Sequence, residues 1–274
     1  MYKRWLTISI IAIVLLSLIP ISILITNETR QDIQVRNGVM DLAEWDPEQE
    51  GRIKLDGEWE FYWGELLPPS FFRHGASDAV SRMIMKVPSD WTESRINGKP
   101  LPAYGYATYR MVLSNVPDDM VFAIKKTNIR FSSNIYINGE KLLSDGKPSQ
   151  RSTDYTAGNI PQIGGFSTTG DDIEIIVHVA NYDYINAGIP ASLYFGELNH
   201  MMEHQQQLIV REFSLIAILV TLAVIYAVCF IAAGLNGKKG LFITSIFLDM
   251  LTIFYLSGAS RGKGLITAWF EPFL

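Results

Sequence analysis

The sequence predicts a mixed fold, in which an all-β sandwich of the jelly-roll type is flanked by transmembrane α-helices. Two runs without a charged residue predict the helices, 20 residues at 6–25 and 23 residues at 213–235. Between Leu55 and Phe195, short alternating segments are separated by turn residues, and no long helical periodicity is present. Many short strands of this kind are typical of a sandwich.

Both charge-free runs are long enough to cross a hydrocarbon layer of about 30 Å. No small-x-small cleavage site follows the first run before Asn27, so residues 1–26 are interpreted as an uncleaved anchor. A Lys-Arg pair precedes the first run and "GKKG" follows the second. Because basic clusters stay on the cytoplasmic side, the region between the two runs is expected to be extracytoplasmic, in a multi-pass protein of the plasma membrane.

The remaining segments follow from this topology. We expect a linker at 27–49, the sandwich at 50–197, a juxtamembrane linker helix at 198–212, transmembrane helices at 213–235 and 240–258, and the start of a further loop or span at 259–274.

The charge of the middle region excludes one class of partner. From Asn27 to Val210 there are 16 lysines and arginines against 25 aspartates and glutamates, a net charge of −9. Such an acidic domain argues against binding nucleic acid. The only cysteine, Cys229, lies in the second apolar run, so the outer domain has no disulfide and depends on its apolar core.

Two segments give the clearest strand predictions. In "IYINGEKLL", Ile135 and Ile137 alternate with a tyrosine, and Asn138-Gly139 supplies the two positive-φ residues of a tight hairpin turn. In "IEIIVHV", four apolar residues from Ile173 to Val179 share one face, which predicts a half-buried strand.

Earlier segments predict further strands. "GEWEFYWGEL" places Trp59, Phe61 and Trp63 on one side, and "YATYRMVL" places Tyr106 and Arg110 opposite the apolar residues between them. Stretches rich in Gly, Pro, Ser and Asp at 88–105 and 144–170 predict loops.

The ordered series "LDGEWEFYWGELLPP", "VPSDW", "GYATYR", "IYINGEKL" and "VHVANYDYINAGI" resembles the extracellular domain of the bacterial seven-transmembrane receptors with diverse intracellular signalling modules. More distantly, "GEWEF", "VPSDW", "TYR" and "YINGEKL" are similar to the sugar-binding jelly roll of family 2 glycoside hydrolases. The resemblance covers residues 50–260, and its specificity lies in the order of the motifs.

The resemblance implies a galactose-binding-like outer sandwich, seven membrane helices and a cytoplasmic output module such as a histidine kinase or a diguanylate cyclase. No motif of such a module is found in this sequence. The chain is therefore expected to be a non-enzymatic sensor region that binds a small-molecule or carbohydrate ligand outside the cell, or a fragment that transmits nothing. A homodimer or a partner chain would supply the remaining helices or the output, and no cofactor is expected.

Aromatic and loop residues are the candidate ligand-binding groups, because flat rings stack on the C–H faces of sugars while polar neighbours bond hydroxyl groups. Core packing is the competing interpretation for the tryptophans. Loop residues are the better candidates, since binding groups concentrate on loops held by a scaffold. The candidates are Trp63, Trp91, Tyr104, Tyr106, Arg110, Asn181, Tyr182 and Asp183.

Two other features invite a function. "HMMEH" has the inverted zincin order, and a membrane-anchored zinc protease using His200, Glu203 and His204 is an alternative. A polar linker helix is the preferred interpretation, because the segment runs directly into an apolar span. Asp249 lies within the predicted transmembrane helix at 240–258, where an ionised group is costly, so it is expected to face other helices and to serve packing or signal relay.

Overall fold

Two stacked antiparallel β-sheets form the body of the protein. The computed structural model describes residues 33–73, 80–96, 98–168, 170 and 172–235. The contacts divide the chain into a unit of Arg30–Met202, which contains the sheets, and a second unit that includes the chain from Glu203 onward.

The described strands, in chain order, are β1 Val39–Asp41, β2 Arg52–Lys54, β3 Gly57–Trp63, β4 Met83–Val87, β5 Ser89–Asp90, β6 Arg95–Ile96, β7 Lys99–Pro100, β8 Gly105–Ser114, β9 Val121–Lys126, β10 Ser132–Ile137, β11 Glu140–Asp145, β12 Gln162–Ser167, β13 Ile173–Asn181, β14 Gly188–Ile189 and β15 Tyr194–Glu197. The helices are α1 Pro47–Glu50, α2 Pro69–Arg73 and α3 Leu198–Leu235.

The larger sheet has the order β11-β10-β13-β8-β3-β4, with β1 beside β8, and the smaller sheet has the order β12-β9-β15-β2. Within the described chain, the pairings between these strands are antiparallel except that of β1 with β8. The predicted all-β sandwich is thus confirmed at the level of two antiparallel layers.

The predicted hairpin is present between β10 and β11. Asn138 and Gly139 have φ values of 49° and 91°, as the tight turn requires. Ile135 and Ile137 are buried in the core, whereas Tyr136 between them is half-buried on the other face.

β13 differs from the half-buried strand that its alternation predicts, because it is buried on both faces. Its outer face is covered by the chain that follows β3. There the ring Nε2 of His178 lies 2.7 Å from the backbone oxygen of Leu67. The Thr108 hydroxyl, on neighbouring β8, donates to the backbone oxygen of Glu65 at 2.8 Å. The chain segment that includes Glu65 and Leu67 therefore covers this face and buries it.

The core joins both sheets through large aromatic side chains. The predicted common face of β3 is confirmed: Trp59 and Phe61 are fully buried, and Trp63 packs against the same core. Trp45 packs on Phe195 of the smaller sheet at a ring separation of 5.5 Å. Full burial of one such apolar side chain stabilises the fold by about 1.5–3 kcal/mol.

The sandwich begins before residue 50. Within 27–49, which the sequence predicts to be a linker, β1 joins the larger sheet and Met40, Leu42 and Trp45 enter the core. The linker prediction missed this because β1 has only three residues and a single inward side chain.

The predicted loops contain regular structure. The region 88–105 holds β5, β6, β7 and a 3-10 turn at Trp91–Glu93, and the region 144–170 holds β12. The two glycines of β12 made it resemble a loop. A Cβ atom on Gly164 would lie 2.8 Å from Leu142 Cγ, and one on Gly165 would lie 3.1 Å from Leu198 Cδ2. A larger residue at either glycine would therefore require a neighbouring leucine side chain to shift.

A buried ion pair between Lys126 and Asp145 links the smaller sheet to the larger. The Asp145 carboxylate also accepts a hydrogen bond from the backbone N–H of Ile160 at 2.8 Å. Burial lowers the pKa of Lys126, while Asp145 acts to raise it. A buried charge without its partner is strongly destabilising, so this pair holds the ends of β9 and β11 together.

The segments predicted as a linker helix and a second apolar run form one continuous helix, α3. Its first turn belongs to the sandwich: Met201 is buried, and Leu198 packs against Gly165. In the part of the chain that the structure describes, no helix combines the length and apolar character needed to cross a membrane. The predicted segments 1–26, 240–258 and 259–274 lie outside the described residues.

Candidate functional site

Four connections meet at one end of the larger sheet, and we call them the loop end: residues 101–104, 127–131, 146–161 and 182–187. The register explains why they meet. Gly105 at the start of β8 pairs with Asn181 at the end of β13. Ser132 and Ser133 at the start of β10 pair with Ala180 and with Asp145 at the end of β11.

Asn181 ties two of these loops together. Its fully buried side-chain amide donates to the backbone oxygens of Ala103 at 2.8 Å and Tyr184 at 2.7 Å. Its side-chain oxygen accepts the backbone N–H groups of Asp183 and Tyr184 at 3.3 and 3.2 Å. Predicted as a ligand-binding residue, Asn181 has its polar groups engaged within the protein and acts as a positioning residue.

Tyr182 connects the same loop to residues 146–161. Its hydroxyl donates to the backbone oxygens of Gln150 at 2.8 Å and Ser149 at 3.2 Å. Its ring meets the edge of Tyr155 at 5.2 Å. Burial raises the pKa of Tyr182, and Tyr106 nearby adds to the increase. The phenol is therefore neutral at physiological pH and remains a hydrogen-bond donor.

Tyr155 lies beneath this loop beside Asp183. Burial raises the pKa of Tyr155 to about 12, and the negative charge of Asp183 adds to the shift. Asp183 raises the Tyr155 pKa through its charge and through a side-chain contact, although no partner among the described residues meets ordinary hydrogen-bond geometry with the Tyr155 hydroxyl. The Asp183 side chain itself is exposed, as a ligand contact requires.

Large side chains are exposed on these loops. Tyr104 is 53% exposed, Tyr184 46% and Ile185 69%. Tyr184 is held by an edge contact with Phe131 at 5.2 Å and by the guanidinium of Arg130, whose carbon lies 5.5 Å from the ring centroid. An exposed ring that the protein already holds in place, such as that of Tyr184, costs little ordering entropy when a ligand binds.

Two predicted aromatic residues lie in the core instead. Trp91 is fully buried, and its indole N–H donates to the backbone oxygen of Pro102 at 2.9 Å. Trp63 meets the edge of Trp91 at 5.1 Å and fills the space beside Gly105, where a Cβ atom would lie 2.5 Å from Trp63 Cη2. The core-packing interpretation therefore describes both, and we leave them out of the candidate site.

Arg110 points to the outer face of the larger sheet, as predicted, but it is five residues along β8 from the loop end. Its guanidinium pairs with Glu174 at 2.7 Å and Glu60 at 2.9 Å, and it lies over the ring of Phe72. These contacts make it part of an ion-pair cluster. Tyr106 shares this outer face and lies nearer the loop end.

The histidines of "HMMEH" do not form a metal centre in the described chain, where no group of three or more potential ligands is present. Nδ1 of His200 lies 3.1 Å from the backbone oxygen of Pro47 and 3.6 Å from a carboxylate oxygen of Glu197. Glu203 is exposed and His204 half-buried. Asp249, predicted to relay a signal, lies outside the described residues.

Sequence reasoning missed Arg130, Tyr155 and Tyr184 as members of this end. Tyr184 stands within the quoted motif "VANYDYINAGI", and its position one residue after Asp183 was a usable signal. Arg130 and Tyr155 come from connections distant in sequence, and only the strand pairing brings them near.

The fold and site together define a β-sandwich with an aromatic loop end. Comparisons with protein-family models and with curated proteins give no match. Among solved structures, the chain is similar to the Ruminococcus gnavus β-glucuronidase in complex with uronic isofagomine, at 15% identity and a TM-score of 0.38, covering 53% of this chain and 27% of that one.

The apo form of the same enzyme and its complex with D-glucaro 1,5-lactone each match at 16% identity and a TM-score of 0.39, over 53% of this chain and 28% of theirs. The chain thus spans less than a third of the length of these enzymes. Similarity at this level does not extend their activity to this chain.

Proposed function

We propose that this chain is the sensory region of a membrane-bound receptor, in which an extracytoplasmic sandwich binds a carbohydrate at its loop end. In this proposal the sandwich is a galactose-binding-like jelly roll, and the chain is a relative of the bacterial seven-transmembrane receptors with intracellular signalling modules. Its output would be that of a histidine kinase or a similar module. The catalytic step would lie in that module and not in this chain.

One observation carries the binding part of the proposal. Tyr104 and Tyr184 are exposed on neighbouring loops, and Asn181 bonds both loops through a single buried amide. The backbone segments that carry these two exposed rings are therefore held together at one end of the sandwich. Sugars bind to such surfaces through their C–H faces, while Asp183 offers an exposed acceptor for hydroxyl groups.

The membrane part rests on sequence. Residues 6–25 and 213–235 carry no charge, and basic clusters flank each run on the side expected to be cytoplasmic. Helix α3 begins in the sandwich and includes the whole second run. No described helix meets the length and apolar character of a membrane span, so the connection from α3 to the bilayer is part of the proposal and rests on the sequence.

A glycan array with the purified full-length chain tests the binding proposal. We expect retention of a subset of oligosaccharides, and at least about tenfold weaker binding, or about 1.4 kcal/mol, in the Tyr104→Ala and Tyr184→Ala variants. Ile84→Ala is the matched control, since Ile84 is 41% exposed on β4, at the far edge of the larger sheet. Absence of binding to any glycan, or equal loss in all three variants, would remove the carbohydrate assignment.

A further inference from the structure

Arg130 occupies a fixed place at the loop end. Its backbone N–H donates to the oxygen of Gly188 at 3.0 Å, and the N–H of Gly188 donates back to the oxygen of Arg130 at 3.4 Å. This reciprocal pair anchors the main chain of the connection between β9 and β10 to β14. The side chain of Arg130 therefore starts from a defined position.

The guanidinium itself is also positioned. Its central carbon lies 5.5 Å from the centroid of the Tyr184 ring. Phe131, the next residue of the same connection, contacts the Tyr184 ring with a centroid separation of 5.2 Å. Arg130 is half-buried, whereas Tyr184 is 46% exposed. The guanidinium thus lies over one face of a tyrosine ring whose side chain is partly exposed to solvent.

The guanidinium of Arg130 has no ion pair and no hydrogen-bond acceptor among the described residues. Five other arginines of the sandwich are engaged: Arg82, Arg110 and Arg151 pair with carboxylates, and Arg73 and Arg95 donate to backbone oxygens. A guanidinium stays charged and carries five N–H donors in a planar fork. At Arg130 these donors are available to a ligand.

We infer that the ligand of the loop end is an acidic carbohydrate, whose uronic acid carboxylate is bound by Arg130 and whose ring lies on the neighbouring tyrosines. This inference rests on the proposed carbohydrate-binding function. A planar carboxylate matches the arginine fork with two parallel hydrogen bonds. The exposed rings of Tyr184 and Tyr104 supply the surfaces for the sugar C–H faces.

The negative charge of the domain affects how a preference for acidic sugars is interpreted. The region from Asn27 to Val210 has a net charge of −9, which repels polyanions at long range. An acidic oligosaccharide would therefore gain little from non-specific attraction. Binding would depend on the local arginine.

Calorimetry on the full-length chain tests the inference with three acidic probes, oligogalacturonate, oligoglucuronate and oligomannuronate. The matched neutral probe is each oligosaccharide with its carboxyl groups reduced to primary alcohols. We expect at least one acidic oligosaccharide to bind with an affinity at least about tenfold higher than that of its reduced form. Arg130→Gln should abolish this preference, and Arg130→Lys should restore part of it, because lysine keeps the charge but lacks the planar fork.

Arg36→Gln is the control, since it makes the same charge change at an exposed residue near the opposite end of β8. It should leave the preference intact, and circular dichroism should confirm that each variant is folded. If reduced oligosaccharides bind as tightly as acidic ones, or Arg130→Gln keeps the preference, the inference is overturned while the carbohydrate-binding proposal stands. If no acidic, reduced or neutral glycan binds, both are overturned.

Discussion

Burial decides what each predicted residue does. Alternation along β3 and β8 correctly assigned Trp59, Trp63 and Arg110 to their faces of the sheet. It did not reveal that Trp91 is sealed in the core or that Asn181 uses its amide inside the protein, because both outcomes depend on contacts with distant loops. Residue type and periodicity indicate a face, whereas exposure depends on what covers it.

His178 gives a prediction at this scale. Burial lowers its pKa below the ordinary 6.5, although the bond to Leu67 acts in the opposite direction. As the pH falls through 6.5, the unfolded chain gains a proton that the folded chain does not, so the free energy of unfolding decreases until the pH falls below the folded pKa. Stability should therefore fall between neutral pH and that lower pKa.

The control for this effect is His178→Gln, which keeps a donor near Leu67 but does not titrate. Urea unfolding followed by tryptophan fluorescence at several pH values should show a weaker pH dependence in this variant. Identical slopes for the two proteins in this window would show that His178 does not have the lowered pKa described.

At the scale of elements, the hairpin was predictable and β12 was not. Asn138-Gly139 determines a turn through local backbone geometry, which sequence reveals directly. The glycines of β12 serve close packing instead: Gly164 faces Leu142 and Leu143, and Gly165 faces Leu198. Because those partners belong to β11 and α3, the reason for the glycines appears only after folding.

The contact between β12 and α3 predicts non-additive mutations. In Gly165→Ala the new Cβ would lie 3.1 Å from Leu198 Cδ2, so the leucine must shift or the first turn of α3 must move. We expect a loss of about 1–3 kcal/mol in the free energy of unfolding. Leu198→Ala in the same chain should recover part of it, because the smaller side chain accommodates the methyl group.

Denaturant unfolding of the two single variants and the double variant measures this coupling. A double variant whose loss equals the sum of the single losses would contradict the packing described for β12.

At the scale of the whole chain, the loop end and α3 are joined through one element. The loop 146–161, which accepts the hydroxyl hydrogen bond of Tyr182, leads directly into β12, and Gly165 of β12 contacts Leu198 in the first turn of α3. In the proposed receptor, ligand binding would act on α3 by this route. Such coupling requires that the ligand bind two arrangements with different affinity.

The central claim is that the sandwich faces the outside of the cell, and cysteine labelling of Lys147→Cys in a Cys229→Ser background tests it most directly. Lys147 is exposed on the loop 146–161. A membrane-impermeant maleimide should label this cysteine in intact cells, whereas a cysteine in place of Lys238, expected to be cytoplasmic, should react only after permeabilisation. If the Lys147→Cys variant is labelled only after permeabilisation, the extracytoplasmic location of the sandwich is contradicted.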